Sequence, residues 1–312
     1  MSLGNNAGTR TAGPGRWYVF WRLLRPHTLT ASVIPVMTGT AVALLKGPVD
    51  YRLFFGMLLA SVIIQSATNM FNEYYDYKKG LDNPDSVGIG GAIVRYGVQA
   101  GTVLRLALAF CFVALMIGVY LCYRSTWWLA PIGMICILVG YLYTGGPYPI
   151  AYTPFGELVA GFFMGAVIVL ISFFIQVHQL GIWPVLAAVP QTVLIGAILL
   201  ANNIRDLDRD REKGRRTLPV LLGRTGAIRL LAAMLIFSYL WIVPLLGLMT
   251  PWLALVFLSV PQAVRAVSRF SGRVTPAQMM PAMQACAQTN TLFGLMIVLA
   301  MILQAGWVPR RW

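Results

Sequence analysis

The chain has 312 residues, 58% of them hydrophobic and only 11% charged, with a mean hydropathy of +0.72. A water-soluble core cannot hide that much apolar surface, so the composition is that of a membrane protein. The formal net charge is +14, and its placement along the chain, described below, explains the high basicity without nucleic acid as a partner.

The opening residues, MSLGNNAGTRTAGPGR, are polar and Gly-rich and lack the apolar core of a signal peptide. Residues 1–21 are therefore expected to form a disordered cytoplasmic tail ahead of one intramembrane domain, 22–312. Hydropathy then predicts nine apolar spans, each near the ~20 residues that a bilayer core requires. They run over 28–45, 53–71, 103–123, 127–143, 158–176, 182–201, 227–249, 251–270 and 289–307. With the N-terminus inside, 19 of the 24 Lys and Arg residues fall on the inner side and 5 outside. The positive-inside rule asks for that asymmetry.

The inner stretch after the second span reads NMFNEYYDYKKGLDNPD and offers Asn69, Asn72 and Asp76 at helical spacings. Gly80 is expected to end the helix, with Asp82 just beyond it. Ahead of it, RLLRPHTL brings the basic pair Arg22 and Arg25 to the inner mouth of the first span, as headgroup anchors or phosphate contacts. After it, GIGGAIVR, ending in Arg95, has glycines that either let backbone amides approach a phosphate or simply make turns. The inner loop between spans four and five, YTGGPYPIAYTPFGE, carries Tyr143, Tyr148, Tyr152 and Glu157 and no basic residue. It either walls a pocket for a flat ring or forms an interfacial tyrosine belt.

The sixth span runs directly into NNIRDLDRDREKGRRTLPVLLG. Asp206 and Asp210 are four residues apart, so on a continuing helix they share a face at roughly 6 Å between Cβ atoms. Asn202 and Asn203 lie one turn earlier, while Asp208 points away. Carboxylate and amide oxygens together suit a hard divalent cation such as Mg2+, which shares its remaining positions with substrate phosphates. The neighbouring arginines would meet the rest of a phosphate's charge. One acidic loop alone is more simply a solvated, salt-bridged connection. Two Asn/Asp clusters, each at the inner end of a membrane helix, point instead to two walls of one diphosphate–metal site.

The other signals are bland. The cysteines, 111, 122, 136 and 286, have no metal-ligand spacing and read as small apolar packing residues. The two histidines, 27 and 178, are far apart and support no His-ligated metal. The EF-hand-like start D-L-D-R-D has Arg211 where the turn glycine belongs and Thr217 where the bidentate Glu belongs, so that reading fails.

Taken together, Asn72, Asp76, Gly80 and Asp82 with Asn202, Asn203, Arg205, Asp206, Asp210, Gly214, Thr217 and Leu218 resemble the two signature motifs of the UbiA superfamily of intramembrane prenyltransferases. Supporting matches are Arg25-Pro26 with Thr28-Leu29, the stretch 88–95, and Tyr143-Thr144 with Tyr152, Gly156 and Glu157. The similarity runs from about residue 22 to 307 and is greatest to the branch that acts on 1,4-dihydroxy-2-naphthoate in menaquinone biosynthesis. Two departures stand in the first motif: Glu73 replaces the usual Asp, and the last Asp is displaced, with Gly80 in its place and Asp82 two residues on.

The resemblance implies an all-α membrane protein of about nine transmembrane helices around a central cavity, capped by cytoplasmic loops, in a bacterial cytoplasmic membrane. It implies that Asp76, Asp206 and Asp210, with Asn72, Asn202 and Asp82, hold Mg2+ bridging the diphosphate of a polyprenyl donor. Arg25, Lys78, Arg95, Arg205 and Arg215 would take the remaining phosphate charge, and Tyr143, Tyr148, Tyr152 and Glu157 would border the acceptor. The ionised allylic chain would then be attacked by the naphthoate ring, which loses CO2 and later a proton. The alternatives are another aromatic acceptor, 4-hydroxybenzoate or homogentisate, and, from a different class, a cation-coupled transporter.

Overall fold

The computed structural model describes residues 15–82 and 91–307, and among these there are helices and turns but no strand. An amphipathic helix, α1 (Arg16–Leu24), leads through a tight turn to α2 (Thr30–Leu44) and then to α3 (Tyr51–Lys78). Next come the short α4 (Ala92–Tyr96), α5 (Ala100–Arg124) and α6 (Leu129–Leu142). The remaining elements are α7 (Gly156–Val177), α8 (Ile182–Glu212), α9 (Leu218–Leu248), α10 (Pro251–Ser268) and α11 (Pro276–Trp307).

Local chemistry sets the ends that matter. Asp50 caps α3, its carboxylate accepting from the backbone N–H of Arg52 at 2.8 Å, which satisfies a donor with no partner inside the helix. Gly80 and Gly214, at φ of 67° and 72°, stop α3 and α8 just past their acidic clusters. That left-handed geometry is cheap only for glycine. In α7 a π-helical stretch, Gly161–Val167, brings Gly161 and Gly165 against the α8 backbone at Thr192, where neither position has room for a Cβ.

Helix α3 packs on α5, α8 on α9, and α2 on α7 and α11. The largest core lies between α2, α8, α9 and α11, around Leu200, Leu231, Phe293 and Ile297. The outside is apolar as well: Leu108, Phe112, Leu240 and Leu258 are each more than half exposed. A protein surface of this kind is covered by lipid rather than by water.

Seven of the nine predicted spans lie in helices long and apolar enough to cross a membrane. The first and fourth are the shorter α2 and α6, of 15 and 14 residues, about 22 Å of helix against a ~30 Å hydrocarbon core. Turns at Pro26–Thr28 and at Ser125–Trp128 use up the residues that hydropathy had counted into them. The predicted tail also differs from the structure. Residues 1–14 lie outside the described residues, and the expected boundary at residue 21 falls within α1, whose Trp17, Tyr18 and Trp21 are exposed while Leu23 is buried.

Candidate active site

The C-terminal ends of α3, α6 and α8 surround the mouth of one cavity of about 1350 Å3. Its body is apolar, walled by residues such as Leu115, Ile137, Val167 and Ile198. Its mouth gathers Asn72, Asp76 and Asp82 from the first motif with Asn202, Asn203, Arg205 and Asp206 from the second. Clusters more than a hundred residues apart in sequence thus line one cavity. Loops close over them: the N–H of Arg216 donates to Tyr152 O at 2.9 Å, and Lys79 Nζ donates to Thr144 O at 3.0 Å.

Arginines hold the carboxylates. Arg215 bridges both motifs, giving Nη2 to Asp76 Oδ1 at 2.9 Å and Nη1 to Asp210 Oδ1 at 3.1 Å, with its guanidinium 4.4 Å above the Tyr152 ring. Burial acts to lower the Arg215 pKa, but the carboxylates of Asp76 and Asp210 outweigh it and raise it, so the cation is fixed there. Arg205 Nε donates to Asp206 Oδ1 at 2.8 Å, and Arg209 reaches Asp206 at 3.4 Å and Asp82 at 3.9 Å. Burial, with the charges of Asp76 and Glu73, pushes the Asp82 carboxyl up to about 6.

Among the described residues, no group of three or more carboxylates, histidines or cysteines is gathered closely enough to hold an ion. The donor chemistry nevertheless fits Mg2+: these are hard oxygen atoms, carboxylate and amide. One of them, Asp210 Oδ2, is buried without a partner. An anion is equally well provided for, since the Nε atoms of Arg22, Arg25 and Arg215 are buried with no protein acceptor.

Several expected residues stand elsewhere. Asp210 is fully buried behind Arg215 rather than on the cavity wall, because Arg215 folds back across the end of α8 to pair with it. Lys78 is exposed and sits 5.5 Å over the Tyr74 ring, outside the cavity. Arg25, Arg95 and Tyr143 do line the cavity. The other two tyrosines of that loop do not: Tyr148 is 89% exposed, and Tyr152 lies beneath Arg215 and Lys79. Glu157 is buried, and its Oε1 accepts from Asn203 Nδ2 at 2.8 Å. It holds Asn203 of the second motif and does not line the cavity. Asp208, as expected, points away, paired with Arg224 at 2.6 Å.

Sequence reasoning missed Thr144, whose Oγ1 donates to Asn72 Oδ1 at 2.8 Å and fixes that amide oxygen. It also missed the glutamines 262, 284 and 288 on the cavity wall, which Arg22, of the basic pair before the first span, lines as well. Thr144 lay inside a quoted motif and could have been found there; glutamines in an apolar run carried no comparable signal.

The UbiA prenyltransferase family model matches residues 32–280. The chain is 52% identical over 287 residues to the 1,4-dihydroxy-2-naphthoate octaprenyltransferase of Bacillus subtilis, covering 91% of this chain and 92% of that protein. Its fold is similar to a UbiA homolog from Aeropyrum pernix K1 (TM-score 0.67, 17% identity, 88% of this chain and 98% of that one). It is similar as well to a UbiA homolog from Archaeoglobus fulgidus bound to GPP and Mg2+ (TM-score 0.62, 15% identity, 90% and 99%). With two Asn/Asp clusters meeting over an apolar cavity inside a helical membrane protein, the chain belongs to the UbiA prenyltransferase family.

Proposed function

We propose that this protein transfers a polyprenyl chain from an allylic polyprenyl diphosphate to 1,4-dihydroxy-2-naphthoate, releasing pyrophosphate and CO2 and forming demethylmenaquinol. The observation that carries the reading is the joining of the two clusters at a basic mouth above an apolar cavity. A charged diphosphate and a long hydrocarbon tail need those two environments side by side. The naphthoate acceptor is taken from the Bacillus subtilis relative, 52% identical to this chain.

The first and second motifs would clasp the diphosphate between α3 and α8. Asn72, Asp76, Asn202, Asp206 and Asp210, with Asp82, would hold Mg2+, which when bound neutralises phosphate charge and makes pyrophosphate a better leaving group. Arg25, Arg95, Arg205 and Arg215 would take the remaining charge through charge-assisted hydrogen bonds, and Arg215 would have to leave Asp76 and Asp210 to do so. The allylic C–O bond breaks with its electron pair leaving on pyrophosphate. A C–C bond then forms at the carboxylate-bearing ring carbon, and the carboxylate departs as CO2, returning its electron pair to the ring. The apolar walls keep water from the allylic cation. Tyr143 is the tyrosine left to border the acceptor. The active domain, from about residue 22 onward, would sit in a bacterial cytoplasmic membrane with its N-terminus and mouth on the cytoplasmic side.

The test is a product assay with purified protein, Mg2+ and an allylic polyprenyl diphosphate, offering 1,4-dihydroxy-2-naphthoate, 4-hydroxybenzoate and homogentisate separately. Mass spectrometry is expected to find prenylated, decarboxylated naphthalenediol as the preferred product. Preference for either benzenoid acid would overturn the acceptor assignment.

A further inference from the structure

Glu73 follows Asn72 and precedes Asp76 by three residues, yet it is not on the cavity wall. One residue on a helix turns a side chain by about 100°, and Glu73 is turned into the protein, 1% exposed. There its carboxylate is taken up by donors. Arg25 Nη2 donates to Oε2 at 3.0 Å. The Gly91 N–H lies 2.8 Å from Oε1 and 2.9 Å from Oε2, and the Ile93 N–H 3.3 Å from Oε1.

What Glu73 grips is the basic rim of the mouth. Arg25 lines the cavity, at the corner between α1 and α2, with a left-handed backbone (φ 52°) that a non-glycine residue adopts only when it is held. One turn earlier on α3, Asn69 Nδ2 holds the same corner through Leu24 O at 2.9 Å and Thr28 Oγ1 at 3.0 Å. Gly91, at φ 105°, begins the turn into α4, and a Cβ there would lie 3.1 Å from the Arg95 side chain, which folds over it and also lines the cavity. Thus one face of α3, Asn72 and Asp76, looks into the cavity, while the next, Asn69 and Glu73, fastens two cationic segments beside it.

We propose that Glu73 is a positioning residue that seats Arg25 directly, and Arg95 through Gly91, against the donor's diphosphate, and that it is not a metal ligand although it occupies a motif position. The inference rests on the prenyl-transfer reading of the site. A buried carboxylate whose oxygens are already taken by an arginine and three N–H contacts has little to offer a cation, while its loss would free both arginines at once.

The experiment compares full-length wild type, Glu73→Gln, Glu73→Asp, Arg25→Gln and the Glu73→Gln/Arg25→Gln pair. Mn2+ affinity is read by electron paramagnetic resonance, inorganic pyrophosphate affinity by calorimetry at saturating Mn2+, and KM and kcat with the allylic diphosphate. Glu73→Gln is expected to keep Mn2+ affinity within about twofold, to weaken pyrophosphate about tenfold and to raise donor KM similarly, with kcat within about threefold. The double variant is expected to be no worse than Glu73→Gln, because the two act as one unit. Glu73→Asp, one methylene too short to span both grips, is expected to behave like Glu73→Gln, and it carries the test if Glu73→Gln fails to accumulate. A tenfold loss of Mn2+ affinity in Glu73→Gln that Glu73→Asp restores would overturn the proposal, as would additive losses in the double variant or a Glu73→Asp with unchanged pyrophosphate affinity. If the wild type transfers no prenyl group, the functional reading falls while the Mn2+ and pyrophosphate titrations still judge the clamp.

Discussion

Replacing Asp206 and Asp208 by Asn, one at a time, tests how α8 divides its carboxylates between chemistry and solvent. The two residues are alike in composition and two apart, so on a helix they differ by about 200° in direction. Asp206 lines the cavity with its side chain 14% exposed, while that of Asp208 is 62% exposed and pairs with Arg224. An exposed pair of that kind is worth about 0–1 kcal/mol, so Asp208→Asn should leave turnover within roughly threefold of wild type. Asp206→Asn keeps the shape but removes a charge that, on the proposed function, would face the donor's diphosphate. Loss of comparable electrostatic stabilisation costs about 3–4 kcal/mol, or roughly 10²–10³ in kcat. Pyrophosphate release by each purified variant at saturating Mg2+ is the assay. Equal loss in the two variants would refute the helical division and place the metal in an irregular loop.

Arg215→Gln frees Asp76 and Asp210, so Mn2+ titrated without donor should bind several-fold tighter than in wild type while the allylic diphosphate binds more weakly; weaker Mn2+ binding would show that Arg215 does not compete with the ion. Gly294→Ala drives a Cβ into Ile34 Cγ2 in the α2–α11 contact, whereas Gly306 on the same helix has open space around it. Overpacking of that sort costs about 1–3 kcal/mol, so thermal unfolding in detergent should show a lower Tm for Gly294→Ala and none of that loss for Gly306→Ala. Tyr148→Ala, at a residue 89% exposed, should leave the acceptor KM unchanged, and a raised KM would return Tyr148 to the acceptor pocket.

The helical scaffold was legible because long apolar runs and the glycines that end them are local signals. The i, i+4 phase of Asp206 and Asp210 could be read because α8 runs unbroken through Glu212. Long-range folding was not legible. Asp210 shares a face with Asp206 in sequence, but Arg215 returns from the following loop and covers it. Glu73 reads only as a departure from the motif's usual Asp until its partners, 18 and 48 residues away, are in place. The tyrosine loop has no period to separate inward from outward positions, so Tyr143 and Tyr148 looked equivalent although only Tyr143 reaches the cavity. The start of α11 was hidden for a related reason: glutamines 278, 284 and 288 depress the hydropathy of a helix that begins at Pro276.

The most direct test of a single diphosphate site shared by both motifs is the stoichiometry of release. With acceptor labelled in its carboxyl carbon, the purified protein should release one labelled CO2 and one pyrophosphate per prenyl group transferred, only with Mg2+ present. Asp76→Asn on α3 and Asp206→Asn on α8 should each abolish both products together. Cation flux in proteoliposomes without pyrophosphate release, or full turnover with either aspartate replaced, would contradict it.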